Sequence, residues 1–324
     1  MPDCYYKSAQ HRTLLYLHLM SDSKTTFTKT RIAPTPSGYL HLGNVLSFAL
    51  TAVIAQQTEA KILLRIDDLD RGRVHRAYVE DIFDTLNFLE IPWHEGPRNY
   101  MEYKREWSQI HRMPLYNEAL QKLKDQHNIF ACSCSRAQLA GKEAYPGTCR
   151  HANLDFNTKN ISWRLHTTPD AELNVKTINN GIVSTALPNA MQHFVVRKKD
   201  GFPAYQLSSV IDDVYFDVDL IVRGADLWPS TLAQHYLALK LDAQAFLNST
   251  FHHHPILMES GGQKLSKSAG STSIKYLREQ GKKPTEIYQE ILKMAGAGID
   301  YEVSTWQQLA QFIVLIKQEG AETN

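Results

Sequence analysis

The sequence predicts an α/β protein: a parallel sheet wound by helical crossovers, broken by an insertion and closed by a short helical C-terminal region. Three observations predict it. A β-prone segment, Phe27 to Ala33, is followed by a Pro- and Gly-marked loop, a helical stretch from Gly43 to Gln57 and a second β-prone segment, Lys61 to Ile66, which together make a βαβ unit. β-like pieces return at Phe194 to Arg197 and Leu220 to Val222, after an interval from Ile129 to about Ala190 in which helical periodicity fades. From Thr272 onward the pattern is helical in three pieces. A crossover between parallel strands is right-handed, and its ligands lie at the carboxyl ends of the strands.

Taken in order, residues 1–26 are expected to be a poorly ordered N-terminal extension, 27–128 the first half of the sheet domain, 129–190 the insertion, 191–270 the second half and 271–324 the helical region. Thr13 to Met20 follow Lys7 and Arg12 as a signal peptide would, but His18 interrupts the run and no small-residue cleavage site follows, so Met1 to Ser23 is read as an extension, with Met20 as an alternative start. Tyr78, Val79, Ile82, Phe83, Leu86 and Leu89 recur at helical spacing, as do Ile110, Met113, Tyr116, Ala119, Leu120 and Leu123. Pro229 opens a helix over Ser230 to Leu241, Pro284 opens another, and Ser304-Thr305 cap the last.

A chain of 324 residues exceeds one ordinary core, hence two domains or one large domain with an insertion. Its 43% hydrophobic and 21% charged residues exclude a disordered chain, and a net charge of +1 excludes nucleic-acid binding by bulk charge, so a polyanion must meet a local patch. The longest uninterrupted apolar run, Phe312 to Ile316, falls far short of the ~20 residues a membrane helix needs, and no membrane partner is expected. Four cysteines are too few for a disulfide framework, and three of them cluster at 132, 134 and 149. Clustered thiols point to metal in a reducing compartment, the cytoplasm.

Two loops carry phosphate chemistry. Pro34 to Asn44 joins the first strand to its helix, where backbone amides face an anion; Gly43 admits a flat ligand, and His41 and Asn44 are hydrogen-bond donors for phosphate oxygens. Lys264-Leu265-Ser266-Lys267-Ser268, flanked by Gly261-Gly262 and Gly270, sets two lysines three apart in a loop able to close over a triphosphate and neutralise a departing pyrophosphate. Alone, a loop of the first kind is more often a solvated helix cap and one of the second kind a basic surface loop.

In this order the two segments resemble the HIGH and KMSKS signatures of class I aminoacyl-tRNA synthetases. Arg31 to Gly38 (RIAPTPSG), Leu64 to Asp70 (LRIDDLD), Ala204 to Leu207 (AYQL) and Val222 to Asp226 (VRGAD) further resemble the glutamate branch, and the likeness runs from about Thr30 to Leu292. The resemblance implies a Rossmann-like catalytic domain joining glutamate to the α-phosphate of ATP, with Mg accompanying the nucleotide. It implies His41, Asn44, Lys264 and Lys267 as catalytic groups, and His41, Gly43, Asn44 and Lys267 on ATP. Arg31, Ala33, Thr35, Asp67, Tyr205 and Arg223 would line the glutamate site, Arg31 pairing with the side-chain carboxylate through the bidentate geometry a guanidinium suits. The family usually has Arg-Ile-Glu-Asp where this chain has Arg65-Ile66-Asp67-Asp68, one methylene shorter at the position expected to meet the substrate ammonium. Thr35, where serine is common, is a milder change.

Cys132, Cys134 and Cys149 supply three thiolates, which leaves one tetrahedral zinc position for Tyr145 or another nearby donor such as His151. With Cys149 inside Tyr-Pro-Gly-Thr-Cys, the pattern resembles the zinc element of the glutamyl-queuosine tRNA(Asp) synthetases and of some glutamyl-tRNA synthetases. One structural zinc per chain is the expectation. After Ser268 there is room for about three helices of usual length, not for the anticodon-binding arm of full glutamyl-tRNA synthetases. That resembles the stand-alone family that esterifies glutamate onto queuosine in the anticodon loop of tRNA(Asp), with Arg197-Lys198-Lys199 and Lys282-Lys283 as basic groups for the stem. The rival expectations are a truncated paralogue charging another acceptor and a catalytically silent binding module.

Overall fold

In chain order the elements are β1 (Lys29–Ile32), α1 (Leu42–Thr58), β2 (Lys61–Leu64), α2 (Arg76–Phe88), α3 (Met113–Asp125), β3 (Ile129–Cys132), β4 (Ser162–Leu165), β5 (Glu172–Thr177), β6 (Gly181–Ala186), β7 (Val195–Arg197), α4 (Tyr205–Tyr215), β8 (Leu220–Gly224), α5 (Trp228–Leu241), β9 (Thr250–His254), α6 (Ile274–Glu279), α7 (Pro284–Met294) and α8 (Trp306–Ala321). The computed structural model describes residues 26–257, 273–296 and 302–321. Lys264 and Lys267 lie outside the described residues, as does nearly all of the expected N-terminal extension.

Two units make up the chain. One holds residues 26–65, 75–100 and the described stretches beyond 255. Here β1 and β2 pair in parallel, with Arg31 opposite Leu63, as the βαβ pattern requires. The crossover helix α1 is buried around most of its circumference, from Leu42 to Thr58, because α8 and α7 also pack on it. Its end is set by Glu59, a non-glycine residue at φ 62°, after which the Ala60 N–H returns to the Ala55 carbonyl at 2.9 Å. From α7, the buried Tyr288 hydroxyl donates to the Leu89 carbonyl at 2.5 Å, anchoring the turn after α2.

The other unit holds residues 66–74 and 101–255. Its larger sheet runs β8, β9, β5, β6. It is mixed, not wholly parallel as expected: β8, β9 and β5 are parallel, whereas β6 turns back antiparallel on β5. The reason is local. Ile178-Asn179-Asn180 connects the two strands through a tight turn, with the Asn180 N–H on Thr177 Oγ1 at 3.1 Å and Gly181 at φ +62°, and so short a connection permits only an antiparallel pair. A separate antiparallel sheet, β3-β4-β7, is assembled from three distant segments. Thus β5 and β6, inside 129–190, extend the β8–β9 sheet, while β7, beyond it, completes the sheet begun by β3.

Two buried carboxylates hold this unit's helices in place. Asp212 on α4 accepts from Arg112 Nε at 2.7 Å, Tyr116 at 2.5 Å and Gln109 Nε2 at 2.8 Å. Asp68 accepts from Tyr103 at 2.6 Å, Ser108 at 2.5 Å, the Gln109 N–H at 2.9 Å and Arg71 at 2.7 Å. Burial, reinforced by the adjacent carboxylate, pushes the Tyr103 and Tyr116 phenols up. Both acids are fully satisfied, as burial of a charge demands.

Candidate active site and metal centre

The first loop is a strand end feeding a helix start. Arg31, 5% exposed, lies on β1, and Ala33 and Thr35 follow in the loop, where the Thr35 carbonyl accepts the Ser37 N–H at 2.9 Å. His41 precedes α1 in extended conformation, φ −122°, and its N–H donates to Asn44 Oδ1 at 3.0 Å, closing the helix start from the side chain of its third residue. A Cβ on Gly43 would stand 3.1 Å from His41 Cε1 and 3.2 Å from Nδ1. Gly43 therefore sets the seat of the His41 imidazole itself, a constraint more immediate than room for a ligand.

The same loop is tied to the helices that follow the Lys264–Lys267 segment in sequence. The Leu40 N–H donates to Asp81 Oδ2 at 3.4 Å, Arg278 donates to Asp81 Oδ1 at 3.0 Å, and the Leu40 carbonyl accepts from the Ile274 N–H at 2.7 Å. Burial pushes the Asp81 carboxyl up, against the pull of Arg278. Asp81 was not among the candidates read from sequence. Its one signal is an acid in the midst of the buried stripe Val79, Ile82 and Phe83.

The remaining amino-acid-site candidates belong to the other unit. Asp67 is 8% exposed and directly precedes the Asp68 hub. Tyr205 begins α4 and is 42% exposed. The Leu69 N–H donates to Gln109 Oε1 at 3.2 Å, and Gln109 also reaches Asp212, so the segment carrying Asp67 is braced against the helix carrying Tyr205. Arg223 on β8 donates to Gln234 Oε1 at 2.9 Å and to Thr231 Oγ1 at 2.5 Å, and Thr231 Oγ1 meets His253 Nε2 at 2.7 Å. Thr231 and Gln234, three apart on one face of α5, hold the guanidinium; that face pattern is the only trace of them in the sequence.

Cys132, Cys134 and Cys149 converge, with all three Sγ atoms within 4.8 Å of one another. Cys134 and Cys149 Sγ stand 3.6 Å apart, Tyr145 Oη lies 3.3 Å from Cys132 Sγ, and Tyr145 Oη also accepts the Cys149 N–H at 2.9 Å. Tetrahedral ligands about 2.3 Å from zinc sit at this mutual spacing. Burial raises the Cys149 thiol, but bonds from the Ser133 backbone, Tyr145, Cys134 and Ser133 outweigh it and set the thiol at about 6, suited to a thiolate ligand at neutral pH. Burial and its cysteine neighbours raise Cys134. His151 is exposed and is not part of the group, so Tyr145 is the phenolic neighbour of the three thiols.

The class I tRNA synthetase family model (E and Q, catalytic domain) matches residues 28–314. The chain is 36% identical over 254 residues to the glutamyl-Q tRNA(Asp) synthetase of Synechococcus sp. (strain CC9605), covering 78% of this chain and 77% of that protein. It is 30% identical over 305 residues to the glutamate–tRNA ligase of Anaeromyxobacter sp. (strain K), covering 90% of this chain but 62% of that protein. Its fold is similar to the glutamate tRNA ligase of Elizabethkingia meningosepticum CCUG26117, solved in complex with its amino acid, at TM-score 0.67 and 20% identity over 88% of this chain and 64% of that one. No helix among the described residues is long and apolar enough to cross a membrane. The chain belongs to the class I tRNA synthetases (E and Q) and carries their catalytic ligase domain.

Proposed function

We propose that this ligase activates glutamate with ATP and transfers it to queuosine in the anticodon loop of tRNA(Asp). The observation that carries the reading is the 36% identity to a glutamyl-Q tRNA(Asp) synthetase along most of that protein's length, joined to a cysteine cluster of the geometry zinc takes. Arg31 holds the glutamate side-chain carboxylate, Asp67 its ammonium, and Tyr205 and Arg223, the latter held by Thr231 and Gln234, complete the pocket with Ala33 and Thr35. His41, Gly43 and Asn44 receive the ATP phosphates, and Lys264 and Lys267 neutralise the departing pyrophosphate. Magnesium enters with ATP as a counter-charge. The zinc site, Cys132, Cys134, Cys149 and Tyr145, ties the loops around β3 together and has no chemical role.

The shorter Asp67 leaves a gap that a water or a backbone shift fills, since a charged contact left unmade is costly. The adenylate is a mixed anhydride: the acceptor hydroxyl attacks its carbonyl carbon, the bond to the phosphate oxygen breaks, AMP leaves, and a phosphate oxygen or nearby base takes the proton. Positioning and charge neutralisation suffice without a covalent nucleophile. Residues 27–128 and 191–270 form the catalytic domain in this reading, with 129–190 inserted. The test is transfer of radiolabelled glutamate to tRNA(Asp) bearing queuosine. Label absent from the unmodified tRNA and released by mild alkali is the expected result. Labelling of unmodified tRNA(Glu) at its 3′ end would overturn it in favour of a glutamate–tRNA ligase paralogue.

A further inference from the structure

The three-stranded sheet has two faces, and the cysteine cluster occupies one. Strand alternation puts Phe130 and Cys132 on that face, while Ala131, its neighbour Trp163 on β4 and, across from it, Arg197 on β7 form a row on the other. That second face borders a cavity of about 670 Å³ together with α3 and the 156–161 loop, within the size range of ligand pockets. We propose that this cavity binds an unpaired nucleotide of the RNA acceptor, by stacking its base on the Trp163–Arg197 pair. The proposal rests on the reading that the acceptor is an RNA and adds to it a binding site made of residues other than those assigned to glutamate and ATP.

Four features select this ligand. First, the Arg197 guanidinium lies over the Trp163 indole, 4.7 Å from the ring centroid, and among the described residues no hydrogen-bond acceptor or carboxylate engages it. A guanidinium backed by an aromatic face is a flat cationic platform of the kind on which unpaired bases stack. Second, Phe156 meets Trp163 edge to face at 5.2 Å, and Lys124 lies over both rings, so the platform is rigid. Third, the lining charge is uncompensated. Lys159 has no ion-pair partner among the described residues, and the only lining acid, Asp200, is already paired with Lys198 at 2.9 Å. Fourth, Asn117 and Asn160 supply amide donors and acceptors at the rim, the groups that read a base edge. An apolar ligand would leave these cations unmet, and a bare phosphate would leave the stacked pair unused.

The test is fluorescence anisotropy on the full zinc-loaded chain, with a labelled single-stranded RNA of ten nucleotides, the corresponding blunt duplex, and AMP as competitor. The single strand is expected to bind more tightly than the duplex, and AMP to compete only weakly. Arg197→Ala is expected to weaken single-strand binding about tenfold, and Arg197→Lys to recover less than half of that loss, because an ammonium keeps the charge but not the stacking plane. Lys159→Ala, on an exposed loop, should lower the slope of log affinity against log salt by about one. Glutamate-dependent ATP–pyrophosphate exchange without RNA should be unchanged in all three, which also reports that they fold. Wild-type affinity in Arg197→Ala or in Arg197→Lys, a preference for the duplex, or displacement by AMP as effective as by RNA would each overturn the proposal. Arg197-dependent RNA binding without transfer to queuosine would instead leave this site standing and remove the acceptor reading.

Discussion

The loop before α1 and the sheet β3-β4-β7 both present chemistry, but they are built in opposite ways. The first places His41, Gly43 and Asn44 within four consecutive residues, and its geometry follows from a helix start: an extended residue, a capping side chain and a glycine that makes room. The second gathers strands that begin at residues 129, 162 and 195, with a cysteine cluster drawn from the last residue of β3 and from the chain after it. A local device needs few long-range contacts to hold its shape. A sheet joined only by distant segments depends on whatever fixes its loops, a task to which a metal held by the cysteines would be suited. Substitution in the loop should therefore alter chemistry with little change in stability, and substitution in the cysteine cluster the reverse.

The largest expected effect lies on the strand feeding the first loop. Arg31→Ala should lower glutamate-dependent exchange at subsaturating glutamate by roughly 30- to several-thousand-fold, the equivalent of the ~2–5 kcal/mol lost when a buried charge loses its partner. Near-normal exchange would remove Arg31 from the glutamate site. Next is the metal. Cys132→Ser or Cys149→Ser should abolish binding of about one zinc per chain and lower Tm by several degrees, at about 2–4 °C per kcal/mol, while exchange survives below the new Tm. Equal loss of exchange and of stability would mean that the two regions are not separable. Protons compete for the thiolates: the Cys149 thiol, at about 6, ionises first, whereas Cys134 is raised above the usual thiol range, so zinc affinity should keep rising with pH through the neutral range and fall most steeply below about 6, as read by chelator competition across pH.

Gly43→Ala sharpens the comparison from the other side. Alanine is the better helix former, so stability should hold, but its Cβ displaces the His41 ring, and kcat/KM for ATP should fall about tenfold. Unchanged kinetics would mean that the imidazole position does not matter to the reaction. Smallest is Asp81→Asn. Its carboxyl is raised by burial, so the native state binds its proton more readily than the unfolded chain, and this group's contribution to stability declines as pH rises from the unfolded value toward the raised one. The asparagine variant should lack that decline in urea melts over the acidic range, with a stability change at neutral pH of about 1 kcal/mol or less. A large loss at neutral pH would show the Arg278 pair outweighing the burial it requires.

The sequence by itself determined what neighbours along the chain can settle. The βαβ unit, the presence of α2, α3 and α5, the cap of α8 at Thr305 and the consecutive residues of the first loop are readable because periodicity and capping act over a few residues, whereas Ile110, at the head of the second apolar stripe, falls in a turn just before α3. The β5–β6 hairpin, turning at Asn179-Asn180-Gly181, lies in the interval where helical periodicity fades, and nothing along the chain there says which sheet it joins. That was decided by tertiary structure, as were the partners of Arg223, the Asp68–Gln109–Asp212 bracing and the two faces of the β3-β4-β7 sheet. Each depends on the register between segments tens of residues apart. A shift of one residue exchanges every side chain between faces, so Cys132 and Trp163 come to lie on opposite sides only once the strands have paired.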